Sequence, residues 1–102
     1  MLALDEGEFA ATFGSKMIAV EGDPPFDFWP YVDSIPISDY QGFDCSECRI
    51  TNVWRSDDGL FEHVMIRAKE DENVFMVIVL APQKKVVVGH RLLNLNKEYG
   101  LE

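Results

Sequence analysis

The residues best able to do chemistry are Cys45-Ser46-Glu47-Cys48 taken together with His63 and His90. Two cysteines and two histidines form a zinc donor set, which must converge within about 2.0–2.3 Å of one point. A lone CxxC is a weak motif, because strong structural zinc sites show two such pairs. The strand register argued below sets Cys48 on the sheet face opposite His90. It also leaves His63 four residues along its strand from the partner of Cys48, roughly 13 Å at ~3.3 Å per residue. The ligands do not converge, and no metal is expected.

The same CxxC suggests a redox dithiol. Such motifs work at a strand-to-helix turn, where the helix N-terminus lowers a thiol pKa. Here the motif runs straight into Arg49-Ile50-Thr51, which reads as a strand, so that device is missing. Arg67 opposite Cys48 would favour a thiolate. The plainer reading is two reduced cysteines at a strand start.

Arg67 and Arg91 form the next pair. The trial register puts them in one row with Phe75, about 9–10 Å apart at two strand spacings. Such a pair suits a carboxylate, a phosphate or an acidic segment of a partner. It suits equally an internal pairing with Glu6, Glu8, Asp27 or Asp33, and eighteen acidic residues make that pairing easy to find. His63 and His90 are of the right type for general bases, but no nucleophile or carboxylate stands at motif spacing from either. The chain has no G-x-S-x-G, H-E-x-x-H, glycine-rich phosphate loop or G-x-G-x-x-G. Asp57-Asp58-Gly59 and Glu70-Asp71-Glu72 lack calcium-loop spacing and read as solvated turns. No catalytic residue and no cofactor is assigned.

These residues need a scaffold, and the stretch from Cys48 to Leu95 supplies it. Four runs of strand length, CRITNVWR, LFEHVMIRA, NVFMVIVL and VVVGHRLLNL, are rich in Val, Ile, Phe, Trp or Thr. Turn signals separate them at Ser56–Gly59, Lys69–Asn73 and Pro82–Lys85. Connections this short exclude a crossover helix, so a four-stranded antiparallel meander is predicted. The run from Val74 to Ala81 is apolar on both faces and reads as a central strand. Gly89 within the last strand predicts a bulge or a close backbone approach.

One predicted sheet face carries Val64, Ile66, Met76, Ile78, Leu80, Val86, Val88, His90 and Leu92. The other mixes Cys48, Ile50, Asn52 and Trp54 with His63, Met65, Arg67, Phe75, Val77, Val87, Arg91 and Leu93. That second face is where function is sought.

The first half of the chain reads as cover. Residues 5 to 13 predict a short helix, with Asp5 as N-cap, Glu8 completing a capping box and Gly14 as the stop. Its Phe9/Phe13 stripe is expected to dock on the first face. Lys16–Val20 reads as a fifth, edge strand. Residues 24 to 47 carry four prolines, which forbid a long helix, yet they hold Phe26, Phe28, Trp29, Tyr31, Ile35, Ile37, Tyr40 and Phe43. An ordered aromatic excursion across the sheet is expected. Phe28, Trp29 and Tyr31 belong to the core on one reading and form a binding hot spot on the other.

The fold class is therefore α+β: a short N-terminal helix and a mainly antiparallel sheet of about five strands, in a single domain over residues 1–102. A net charge of −9 weighs against nucleic acid, which is bound by clustered cations. No apolar run reaches the roughly 18 residues of a membrane span. Met1–Glu6 lacks a basic n-region and a long apolar stretch, which predicts no cleaved signal and a cytoplasmic location. The first function expected is a small acidic module that acts through a protein partner or self-association, as an accessory or inhibitor. The rival is a small-molecule or anion binder, with or without catalysis, using Arg67, Arg91, His63 and Trp54 under the aromatic loop. A concave pocket ending at the arginines would favour the rival. A flat or sealed face would favour the module.

Overall fold

Val74–Ala81 is buried along its whole length, which only a strand covered on both faces allows. The computed structural model describes residues 2–40, 48–67 and 74–94. In chain order these form α1 (Glu6–Ala10), β1 (Met17–Ala19), α2 (Trp29–Ser34), a 3₁₀ turn (Ile37–Tyr40), β2 (Arg49–Ser56), β3 (Glu62–Arg67), β4 (Val74–Ala81) and β5 (Val86–Asn94). The strands make one five-stranded antiparallel sheet in sequence order. The α+β expectation holds, with β1 pairing on β2 as the edge strand. No helix among the described residues is long and apolar enough to cross a membrane.

The first face carries the core. Val53, Val64, Ile66, Met76, Ile78 and Leu80 pack against Phe28, Val32 and Ile35 from the proline-rich segment. That segment crosses the sheet as expected, but part of it is helical. Pro30 falls in the first turn of α2, where its missing N–H was never needed.

The helix α1 lies elsewhere than expected. Phe9 and Phe13 sit over the second face, against His63, because the α2 segment has already taken the first. Asp5 does cap α1, with Glu8 completing the reciprocal box. The helix nevertheless stops at Ala10 rather than running on to Phe13. Gly14 is not its stop residue. A Cβ there would come within 2.8 Å of the Asp57 backbone nitrogen and 2.9 Å of the Ser56 Cβ.

Two irregularities shift the register. One lies between Ile50 and Asn52 of β2, so Cys48 and Ile50 pack on the first-face core, not on the second face as expected. The other, between Val79 and Leu80, pairs Leu80 with Val87, and Val87 joins the core as well. An extra residue reverses the alternation beyond it. Next to the second irregularity, Gly89 lets the N-terminus approach: an added Cβ would lie 2.7 Å from the Leu2 carbonyl oxygen and 2.8 Å from Leu4 Cγ. Leu4 N–H donates to the His90 carbonyl at 2.8 Å, and His90 N–H donates to Leu2 at 3.0 Å. The chain start therefore borders β5 through a parallel bridge at Ala3. The Lys69–Asn73 turn and Leu95 lie outside the described residues.

Candidate functional site

The second face is concave beneath α1. Phe9, Phe13, Met17, Trp54, His63, Met65, Val77 and Leu93 line a cavity of about 320 Å³ that is open to solvent. Strand alternation supplies its floor: Trp54 pairs with His63, and Met65 pairs with Val77. The roof comes from Phe9 in α1 and from Phe13 just beyond it. These rings meet edge to face, 5.1 Å between centroids. Phe13 is 44% exposed, so it forms the rim. A five-residue helix is marginal alone, and this one persists because its box caps it and its rings dock on His63.

His63 is among the described residues of this lining, and it is 97% removed from solvent. Its ring stacks on Phe13 at 4.6 Å and meets Phe9 edge-on at 5.4 Å. The Thr12 hydroxyl, 2.5 Å from His63 Nε2, donates its own proton to the Phe9 carbonyl at 2.6 Å. A hydroxyl has one proton to give, so towards His63 it accepts, and Nε2 carries the ring proton. Nδ1 is then a lone-pair acceptor, buried and without a partner. Burial holds the imidazole in its neutral form, pushing its pKa from the ordinary 6.5 down to about 4. An unmet buried acceptor costs roughly 1–3 kcal/mol, and this one is sealed within the fold.

The arginines do not end this cavity. Arg67 pairs with Phe75, and Phe75 with Leu93, while Arg91 sits one row away opposite Val77. Arg67 and Phe75 pair as expected; the single row fails in the β4–β5 pairing, where the turn centre and the irregularity at Val79/Leu80 together shift Arg91 by two residues. Two strand spacings and two residues separate the pair by about 12 Å. Arg91 lies over the Phe9 ring at 5.3 Å, outside the roof. Arg67 stands opposite Arg49, and its buried Nε lacks a partner. Residues 68–73 beside it are outside the described set. Among the described residues α1 covers this face, whereas Phe28, Val32 and Ile35 of the aromatic loop, which the rival reading expected here, lie on the first; residues 41–47 of that loop are outside the described set.

Trp29 and Tyr31 belong to the first face. Trp29 stacks on Phe28 at 4.9 Å and packs on the core. Tyr31 meets the second histidine: its hydroxyl is 2.7 Å from His90 Nδ1, while His90 Nε2 is 2.8 Å from the Asp39 carboxylate. The Tyr31 hydroxyl, which also lies 3.4 Å from the Leu2 carbonyl oxygen, and the Asp39 carboxylate together hold the two ring nitrogens of His90. Burial, ahead of the nearby Asp39 charge, raises the Tyr31 pKa above 10. His90 is 1% exposed with both ring nitrogens satisfied. It ties α2, the 3₁₀ turn and the N-terminal segment to β5. A polar cleft of about 330 Å³ adjoins it, bordered by Asp5, Glu6, Asp39 and Arg91 among others.

Cys48 is disulfide-bonded rather than a reduced thiol, and Cys45 lies outside the described residues. Among the described residues no group of three or more His, Cys, Asp or Glu side chains is placed to hold a metal. Of the residues singled out by type, His63 and Trp54 come together with Arg91 close by, whereas Arg67, Trp29, Tyr31 and Cys48 do not join them. Thr12 and Asp39 carried no sequence signal, since their roles depend on contacts 51 residues away along the chain. No protein-family model matches the chain, and no curated protein or solved structure is significantly similar to it.

Proposed function

We propose that the protein binds a small, neutral, mainly apolar molecule in the cavity between α1 and the second sheet face. The carrying observation is the cavity itself: about 320 Å³ lined, among the described residues, by seven mainly apolar side chains and His63. Ligand sites are concave, mostly apolar and of about 300–1,000 Å³, with a few placed polar groups. An apolar occupant would take the side chains lining this cleft out of water, which is favourable at about 25 cal/mol per Å² of apolar surface. The anion form of this reading loses its support, because neither arginine lines the cavity.

The test uses para-ethyltoluene, an uncharged apolar probe, followed by amide NMR. Saturable shifts at Trp54, His63, Met65, Val77 and Leu93, with α1 moving alongside, are expected. Absence of saturable shifts at those positions would refute the reading.

A second reading, a module acting through a protein partner or self-association, has its own observation. Ile18 is 50% exposed on β1, an edge strand of three residues, and strand edges invite pairing. Sedimentation of the wild type and Ile18→Lys tests it. Concentration-dependent association that this substitution abolishes would favour the module; a monomer in both would remove self-association.

A further inference from the structure

Arg49 and Arg67 are direct partners across β2 and β3. Such partners share a sheet face with Cβ atoms about 4.5–5.5 Å apart, and like charges so placed destabilise the sheet. The row runs on from Arg67 to Phe75 and from Phe75 to Leu93. Leu93 lines the cavity, so both arginines belong to the second face. β1 pairs only with Trp54–Ser56 of β2, so among the described strands none flanks Arg49 on its outer side.

Acidic residues outnumber basic ones by eighteen to nine. Arg55 has found one of them: its Nε donates to the Glu62 carboxylate at 2.9 Å. Among the described residues neither Arg49 nor Arg67 has a carboxylate partner. Two positive charges therefore stand side by side without a counter-charge in an acidic chain.

We infer that this pair binds a phosphate group, as a small phosphomonoester or the free ion. A guanidinium presents a planar fork of donors that takes two oxygens of one anion at once. A carboxylate has two oxygens and is used up by one fork. A phosphomonoester has three terminal oxygens and close to two negative charges, enough to engage both forks and cancel both charges. Arg67 is half-buried and Arg49 exposed, so one fork is held by the sheet and the other closes from solvent. Arg67 Nε is sealed within the fold, which leaves the two terminal nitrogens as its donors. The site lies apart from the cavity and does not rest on that reading.

The experiment titrates the wild type with phenyl phosphate, inorganic phosphate and acetate at constant ionic strength, followed by NMR. Both phosphates should give saturable shifts at Arg49, Arg67 and Phe75, and acetate should bind at least about tenfold more weakly. Which phosphate binds tighter separates an ester from the free ion. Arg67→Gln should lose at least about tenfold in phosphate affinity, and Arg67→Lys, which keeps the charge without the fork, should recover only part of it. Thermal unfolding gives a second readout. Without ligand Arg49→Gln should raise Tm by relieving the repulsion, and phosphate should raise the Tm of the wild type but not of this variant.

An absence of saturable shifts in the wild type, as when acidic residues 70–72 of the chain itself hold the arginines, would overturn the inference. Acetate matching phosphate, or undiminished affinity in folded Arg67→Gln, would overturn it equally. None of these outcomes bears on the cavity, which an uncharged probe reads at other residues.

Discussion

The rings of His63 and Phe13 lie face to face, 4.6 Å between centroids and 14° from parallel. One belongs to the middle of the sheet and the other to the loop following α1. Their contact, with the Thr12 bond beside it, joins the roof of the cavity to its floor. A proton on that imidazole would be a charge buried under two phenylalanines, and the site is built against it.

Acid should therefore loosen the fold through His63. Its folded pKa, about 4, is below the unfolded value near 6.5. Above pH 6.5 the ring is neutral in both states and contributes no pH dependence. As pH falls below 6.5 the unfolded chain takes the proton first, so stability declines until about pH 4 and levels beneath it. Between pH 7.5 and pH 5 the loss from this group is about 2 kcal/mol. Urea denaturation at the two pH values should show that slope in the wild type and not in His63→Phe. An equal slope in both would refute the assignment.

Asp5 holds the roof in place. Its carboxylate accepts the Glu8 amide at 2.7 Å, a bond that depresses its own pKa. Asp5→Ala removes the side-chain half of the box, the bond from the Glu8 amide, and keeps the backbone N–H that donates to Glu8, at a cost of about 1 kcal/mol. Because α1 carries Phe9, the same substitution should weaken para-ethyltoluene binding several-fold. Unaltered affinity in a destabilised variant would show that α1 does not shape the site.

On the opposite face, Tyr31→Phe leaves His90 Nδ1 buried without its hydrogen-bond partner. A loss of about 1–3 kcal/mol is expected, together with faster hydrogen exchange at the Leu4 and His90 amides that bond the N-terminal segment to β5. Ligand binding on the second face should hardly change. A loss of binding comparable to that in Asp5→Ala would mean that the two faces are coupled.

The sheet was legible because its strands are apolar runs separated by short polar turns. Val74–Ala81 announced a covered central strand, and Asp5 with Glu8 announced the cap of α1. What misled was parity. Two irregularities, near Thr51 and at Val79/Leu80, move Cys48, Ile50 and Val87 to the core face, and no residue type marks them except Gly89 nearby. The Phe9/Phe13 stripe showed that α1 must dock, but an i, i+4 pair says nothing about which face receives it. Phe28, Val32 and Ile35 decided that by occupying the first. His63 stood out by type and by its place on the mixed face. Its tautomer depended on Thr12, a residue that sequence spacing does not link to it.

The central claim is that the second face holds a ligand cavity, and filling that cavity from within tests it most directly. Met65 lines it, and Met65→Trp would occupy the space with an indole. Calorimetry with para-ethyltoluene should give saturable one-to-one binding by the wild type and at least about a tenfold loss in this variant, with cooperative urea unfolding retained in both. Undiminished binding by folded Met65→Trp, or none by the wild type, would contradict the account.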